Sequence, residues 1–196
     1  MSMEHKAFLF DTNKYHQQIE PIIEKCCKTN DASVVRKYIN KNYEQIANPY
    51  TGDILDANWE NELESDSRQE LFDFVLASCY VPDDDIGLGY AWDGVLEAIK
   101  EMRVIGDAEV CVLGNPLIYA GVEVNPGLMG LGIIEAKDVV RIKEVLLKNQ
   151  KRLDSMEFSE DVLYELEQDE LIEAYDDLCD IYKSAEIEGK GILFTF

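Results

Sequence analysis

A chain of 196 residues can bury one proper core, and 46% hydrophobic with 10% aromatic residues is ordinary for a globular protein. Forty acidic against eighteen basic residues set the formal charge at −22. That balance argues against nucleic acid as a partner, because phosphate binding needs a basic surface that releases counterions. No 18-residue apolar stretch and no apolar run behind a basic leader occurs, so the expectation is a cytoplasmic protein with no membrane partner.

The charge is spread unevenly. Residues 1–48 carry seven bases and six acids, residues 49–109 three bases and sixteen acids, and residues 110–196 eight bases and eighteen acids. An acidic surface of this kind stays well solvated and steers basic partners towards it. Cys26, Cys27, Cys79, Cys111 and Cys179 form an odd set without a CxxC pair and lie mostly in apolar surroundings, so they read as reduced core thiols. With only His5 and His16 beside them, there is little material for a zinc site.

In chain order, KAFLF at 6–10 reads as a first strand ending at the turn residues Asp11, Thr12 and Asn13. Ile19, Ile22, Ile23 and Cys26 recur at helical spacing from Tyr15 to about Lys28, with Pro21 tolerable only in the first turn. Asn30, Asp31 and Ser33 precede a second helix with Val34, Val35, Tyr38, Ile39, Tyr43 and Ile46 as its stripe, so residues 15–47 are expected to form a helical hairpin. Residues 48–65 read as an acidic loop anchored by Ile54, Leu55, Trp59 and Leu63. An α+β core is expected over 66–196, making one domain in all.

Within that core a helix runs from 65–67 to near Pro82, and another carries Trp92, Val95, Leu96, Ile99 and Met102. AEVCVL at 108–113 and LIYAGVEV at 117–124 have strand character, separated by Gly114, Asn115 and Pro116, and could pair; Ile133 and Ile134 suit a further short strand. The glycine-rich stretch 125–133 between them is irregular, with Gly130 or Gly132 expected in left-handed geometry. A helix over 137–153 carries six of the eighteen basic residues. Residues 168–187 follow the i, i+3, i+4, i+7 pattern without a fault, Gly189 ends that helix, and GILFTF reads as a terminal strand docked in a sheet. The fold class expected is therefore α+β, with five or six helices on a small, mostly antiparallel sheet.

Candidate sites gather in YVPDDDIGLGYAWDGV, residues 80–95. Counted from Asp83, the sixth residue is Leu88 and the twelfth Gly94, so EF-hand spacing fails. Gly87 and Gly89 lack the third glycine of a dinucleotide fingerprint, and Gly127, Gly130 and Gly132 have the wrong order. Neither His5 nor His16 stands in a recognisable catalytic arrangement, and no catalytic residue, metal or cofactor is indicated. Loop-borne Trp59, Tyr80, Tyr90 and Trp92, the carboxylates of Asp83, Asp84 and Asp85, and the loop residues Asn115 and Met129 are candidates for contact with a partner or ligand.

Three stretches carry a resemblance: GYAWDGVLEAI at 89–99, NPLIYAGVEV with GLGIIEAKDVVRIKEVL within 115–147, and DELIEAYDDLCDIYKSAEIEGKGILFTF at 169–196. Together they resemble the YfbM-like family of small bacterial proteins over about half of the chain, while the N-terminal hairpin and NPYTGDILDANW depart from that pattern. The resemblance implies a bacterial α+β domain and brings no reaction or catalytic set with it.

The reading that follows is a non-enzymatic protein whose acidic face receives a basic partner, in the manner of an immunity protein that neutralises a toxin. The alternative is a small-molecule binding protein or enzyme with a cleft formed by loops 80–92 and 114–132.

Overall fold

The computed structural model describes residues 3–65, 67–104, 106–126, 130–153, 155, 156, 158 and 166–196. Strands β1 (Lys6–Phe10), β2 (Asn115–Tyr119), β3 (Val122–Val124), β4 (Leu131–Ile134) and β5 (Gly191–Thr195) form one antiparallel sheet in the order β1-β5-β4-β2-β3. The C-terminal strand is thus internal, with Leu193 opposite Phe8 on one side and Ile133 on the other. Successive side chains on a strand point to opposite faces, and here both faces are covered. Ile192 and Phe194 join Ala7 and Ile134 in one core, whereas Leu193 joins Phe8, Phe10, Leu131 and Ile133 in the other. A strand buried on both faces needs no polar alternation, which is why GILF runs apolar without a break.

The helices divide between the two faces. Helices α2 (Glu20–Thr29), α3 (Ser33–Asn42) and α4 (Arg68–Leu76) pack on the Leu193 face, and α5 (Trp92–Met102), α6 (Ala108–Leu113), α7 (Ala136–Leu153) and α8 (Gln168–Glu188) on the Phe194 face. Buried tyrosines on α8 satisfy their polar ends against neighbouring backbone: Tyr175 donates to the Leu146 carbonyl and Tyr182 to that of Cys111, both at 2.9 Å. All five cysteines are free and buried. Burial pushes the Cys79 thiol up to about 11 and that of Cys111 up to about 12, so both stay protonated at neutral pH.

Several elements depart from the sequence expectation. The first helix begins early, as α1 (Thr12–Lys14), with the Asp11 carboxylate accepting the Lys14 N–H at 2.9 Å. A π turn over Tyr15–Ile19 follows, and α2 restarts so that Pro21 falls in its first turn, where its missing N–H costs nothing. Helix α3 stops at Asn42, and Tyr43 belongs to a 3-10 turn before Ile46. In the 48–65 loop Leu55 and Trp59 are buried anchors, but Ile54 faces solvent.

AEVCVL, expected as a strand, is helix α6. Ala108, Cys111 and Val112 share one buried face, and so short an apolar run does not distinguish helix from strand by pattern alone. Its expected pairing with 117–124 fails accordingly. Those residues fold back on themselves as the β2–β3 hairpin, turning at Ala120 and Gly121 with φ of 50° and 78°, the two-residue turn whose twist matches that of the strands. Asn115 and Pro116, expected in a turn, lie in β2 opposite Ile133 and Gly132. Gly130 has the expected positive φ, at 105°.

β1 is an edge strand, and its outer side is closed by residues 85–89. His5 and Gly89 exchange both backbone hydrogen bonds, at 2.8 and 3.1 Å, and the Ile86 N–H donates to the Ala7 carbonyl at 2.9 Å. This approach depends on Gly87, because a Cβ there would stand 2.3 Å from the His5 carbonyl oxygen and 2.6 Å from the Lys6 Cα. The His5 ring lies fully buried beneath the turn. Its Nδ1 accepts the Leu88 N–H at 3.2 Å, which leaves Nε2–H to donate to the Val112 carbonyl at 2.7 Å and fixes the neutral tautomer.

Two outcomes follow. Gly87→Ala is expected to cost about 3 kcal/mol, since rigid backbone would have to move. Gly89→Ala, which has φ +55° but open space around it, should cost about 1 kcal/mol; urea midpoints compare the two, and equal losses would contradict the close approach. Burial holds the His5 pKa below its ordinary 6.5, so the stability this ring provides is present above pH 6.5 and is lost as pH falls towards the lowered value. Between neutral pH and about pH 5 the melting-temperature advantage of the parent over His5→Gln should therefore shrink with acid.

Candidate functional site

With residues 85–89 fastened along β1, the aspartates before them are set against the C-terminal half of α8. An open cleft of about 460 Å³ lies between Asp83, Asp84 and Asp85 on one side and Ser184 and Lys190 on the other, with Leu9, Val81 and Ile86 as its apolar lining. A second depression of about 320 Å³ continues from it, sharing Ile86 and Ser184 and adding Asp177, Asp180 and Ile181 of α8. The two adjoin at Ile86 and Ser184 and form a groove lined by carboxylates, Asp83, Asp84 and Asp85 in the first part and Asp177 and Asp180 in the second. Lys190 is the only cation among the described residues lining it.

The three consecutive aspartates diverge. Asp85 turns to the backbone, its Oδ1 accepting the N–H of Ala7 at 3.0 Å and that of Gly87 at 2.9 Å. Asp83 lies against the 48–65 loop, where a Cβ on Gly52 would come within 2.1 Å of its Oδ1. Asp84 is exposed, on a turn in which its N–H donates to the Val81 carbonyl at 3.1 Å. On α8, burial together with the neighbouring carboxylates Glu173, Asp180 and Asp176 raises the pKa of Asp177. Asp180 is paired with Lys183 at 2.6 Å, an exposed i, i+3 contact of little energetic weight.

The candidate aromatics do not form one surface. Trp59 is fully buried and presents nothing to a partner, because its indole packs near Phe74 and donates to Asn40 Oδ1 at 2.8 Å. Tyr80 is half-buried with its ring 4.7 Å from Phe8. Tyr90 is 63% exposed. Trp92 is half-buried and edge-on to Phe196 at 5.0 Å, its indole donating to the Met3 carbonyl at 2.9 Å. A Cβ on Gly130 would lie 3.2 Å from the same Phe196 ring, so the loops 80–92 and 114–132 approach one another with Phe196 between them. Asn115 opens onto a different depression, shared with Asp107, Asp138 and Arg141. Met129 falls outside the described residues.

Two clusters escaped the sequence reading. Asp73, an acid inside the apolar run LFDFVLA, is pushed up to about 6 by burial, an effect that the Tyr50 hydroxyl opposes. The other is a chain of side chains from Glu135 to His16, Glu20, Tyr119 and Tyr15. His16 Nδ1 meets Glu20 Oε2 at 2.6 Å, and its Nε2 meets Glu135 Oε2 at 2.9 Å. The Tyr119 hydroxyl donates to Glu20 Oε1 at 3.2 Å and also meets the hydroxyl of Tyr15. Spacing could suggest only the His16 and Glu20 pair, four apart on a helix; Tyr119 and Glu135 lie about a hundred residues away.

Fold and groove together define an acidic α+β chain with an anionic groove. No protein-family model matches the chain, nor does any curated protein or solved structure. Among the described residues no group of three His, Cys, Asp or Glu side chains is placed to hold a metal ion, and no helix is long and apolar enough to cross a membrane.

The two neighbouring aspartates should separate by substitution. Asp85→Ala is expected to cost about 1–3 kcal/mol, since it strips the acceptor from the Ala7 and Gly87 N–H groups. Asp84→Ala should stay within about 0.5 kcal/mol of the parent. Chemical denaturation of both variants measures the difference.

Proposed function

We propose that this chain is a non-enzymatic binding protein whose groove between residues 81–87 and α8 receives a basic segment of a protein partner, as an immunity-type protein receives a toxin. The observation that carries this is a pair of adjoining depressions that share Ile86 and Ser184, the first lined by Asp83, Asp84 and Asp85 with Leu9, the second by Asp177 and Asp180 with Ile181. On α8 itself, burial and then the neighbouring carboxylates Glu173, Asp180 and Asp176 raise the pKa of Asp177, so a cation is favoured beside it. A lysine or arginine entering the groove supplies that cation, while the apolar lining takes up its aliphatic stem. The wider charge of −22 speeds the encounter.

The alternative, a small-molecule cleft between loops 80–92 and 114–132, has less to rest on because Phe196 stands between Trp92 and Gly130. The resemblance to the YfbM-like family bears on neither reading, since it brings no reaction and no partner with it.

The test is retention of a basic protein at low salt by the parent chain, its release at high salt, and its loss from an Asp84→Lys/Asp177→Lys variant. Glu44→Lys/Glu123→Lys, with the same change of net charge on exposed residues outside the groove, should still retain it. Equal loss from both variants would reduce the effect to bulk charge and reject the groove.

A further inference from the structure

The two ring nitrogens of His16 lie 2.6 Å and 2.9 Å from carboxylate oxygens of different glutamates. A neutral imidazole has one N–H and can donate to only one of them, leaving a lone pair facing the other carboxylate; both contacts are satisfied together only when both nitrogens carry protons. The geometry therefore describes an imidazolium. Its two partners lead into helices that pack on different faces of the sheet. Glu20 starts α2, on the Leu193 face, and Glu135 lies in the connection from β4 into α7, on the Phe194 face.

We propose that His16 is a proton-dependent clasp between these two helical layers, closed while the doubly protonated ring bridges Glu20 and Glu135 and opened at Glu135 when the ring gives up a proton. The direction of opening follows from what else holds each glutamate. Glu20 keeps the Tyr119 hydroxyl at 3.2 Å, whereas the Glu135 side chain has no second hydrogen-bond partner among the described residues. The groups facing the ring are Glu20 on its own helical run, Glu135 before α7, and Tyr15 with its ring centroid 5.2 Å away; Tyr119 of β2 reaches it through Glu20. Both carboxylates hold the pKa of His16 above the ordinary 6.5, against a smaller opposing effect of burial. The clasp thus contributes fully below pH 6.5, and its contribution is lost as pH rises through the raised value. It is independent of the acidic groove and of any partner.

The chain has two histidines, so a proton NMR titration of the intact protein resolves both rings. His5 is expected to titrate below 6.5 and His16 above it. Glu135→Gln should bring the His16 midpoint down while leaving that of His5 in place, the latter confirming an intact fold. Amide exchange at Asp138 and Val139, corrected for its intrinsic pH dependence, should step up severalfold through the His16 midpoint, and the step should vanish in His16→Gln. A His16 midpoint at or below 6.5, a midpoint indifferent to Glu135→Gln, or exchange without a step would overturn the clasp.

Discussion

The outer edge of β1 has backbone N–H and C=O groups that no sixth strand satisfies, and much of the molecule is arranged around that need. An open edge invites pairing with another chain. Here residues 85–89 close it, using the His5 and Gly89 exchange, the Ile86 N–H and the carboxylate of Asp85. The opposite edge is closed by a single side chain: the Gln69 amide donates to the Glu123 carbonyl at 2.7 Å and accepts the Asn125 N–H at 2.9 Å, as a neighbouring strand would. Fixing 85–89 to β1 also fixes where Asp83 and Asp84 project, so the acidic wall of the groove is a by-product of closing the sheet.

The second constraint is that β5, the last element of the chain, sits inside the sheet and serves both cores. Lys6 pairs with Thr195, so the two ends of the chain meet, and Ile192, Leu193 and Phe194 alternate between the two helical layers. Neither core can close before residues 191–195 are in place. A sheet built on so distant a pairing closes large loops before it gains contacts, which is expected to slow folding.

Much of this was legible in the sequence, and the limits have physical causes. α8 and α7 announce themselves because a long amphipathic helix repeats its period many times. β5 is recognisable because double burial removes all polar alternation from a short run. α6 was misread because six residues carry too little period, and what decides it is tertiary: a buried face against α5 and the sheet, and the Tyr182 hydroxyl on the Cys111 carbonyl. The acidic motif at residues 80–95 could be stripped of metal and phosphate readings by spacing alone, but its attachment to β1 could not be foreseen, since His5 and Gly89 are far apart along the chain. The same holds for His16, which looked idle because its partners Glu135 and, through Glu20, Tyr119 come from other elements.

The acids themselves separate into two populations by what their oxygens touch. Asp11 caps α1, Asp31 holds the Ser33 N–H and hydroxyl, Glu70 gathers the Glu64 and Ser65 N–H groups with the Ser65 hydroxyl, and Asp85 serves β1. Each of these carboxylates is accounted for by folding, because it accepts N–H groups at a helix start, in a loop or at the sheet edge. Asp83, Asp84 and Asp177 have no such duty: among the described residues their carboxylates accept no hydrogen bond, and they face one groove with like charges around them. Folding would be served as well or better by neutral side chains at these positions, since like charges in proximity oppose compaction. Carboxylates that accept no hydrogen bond from the fold are free for other contacts, and the proposal of a basic partner rests on that asymmetry more than on the total of −22.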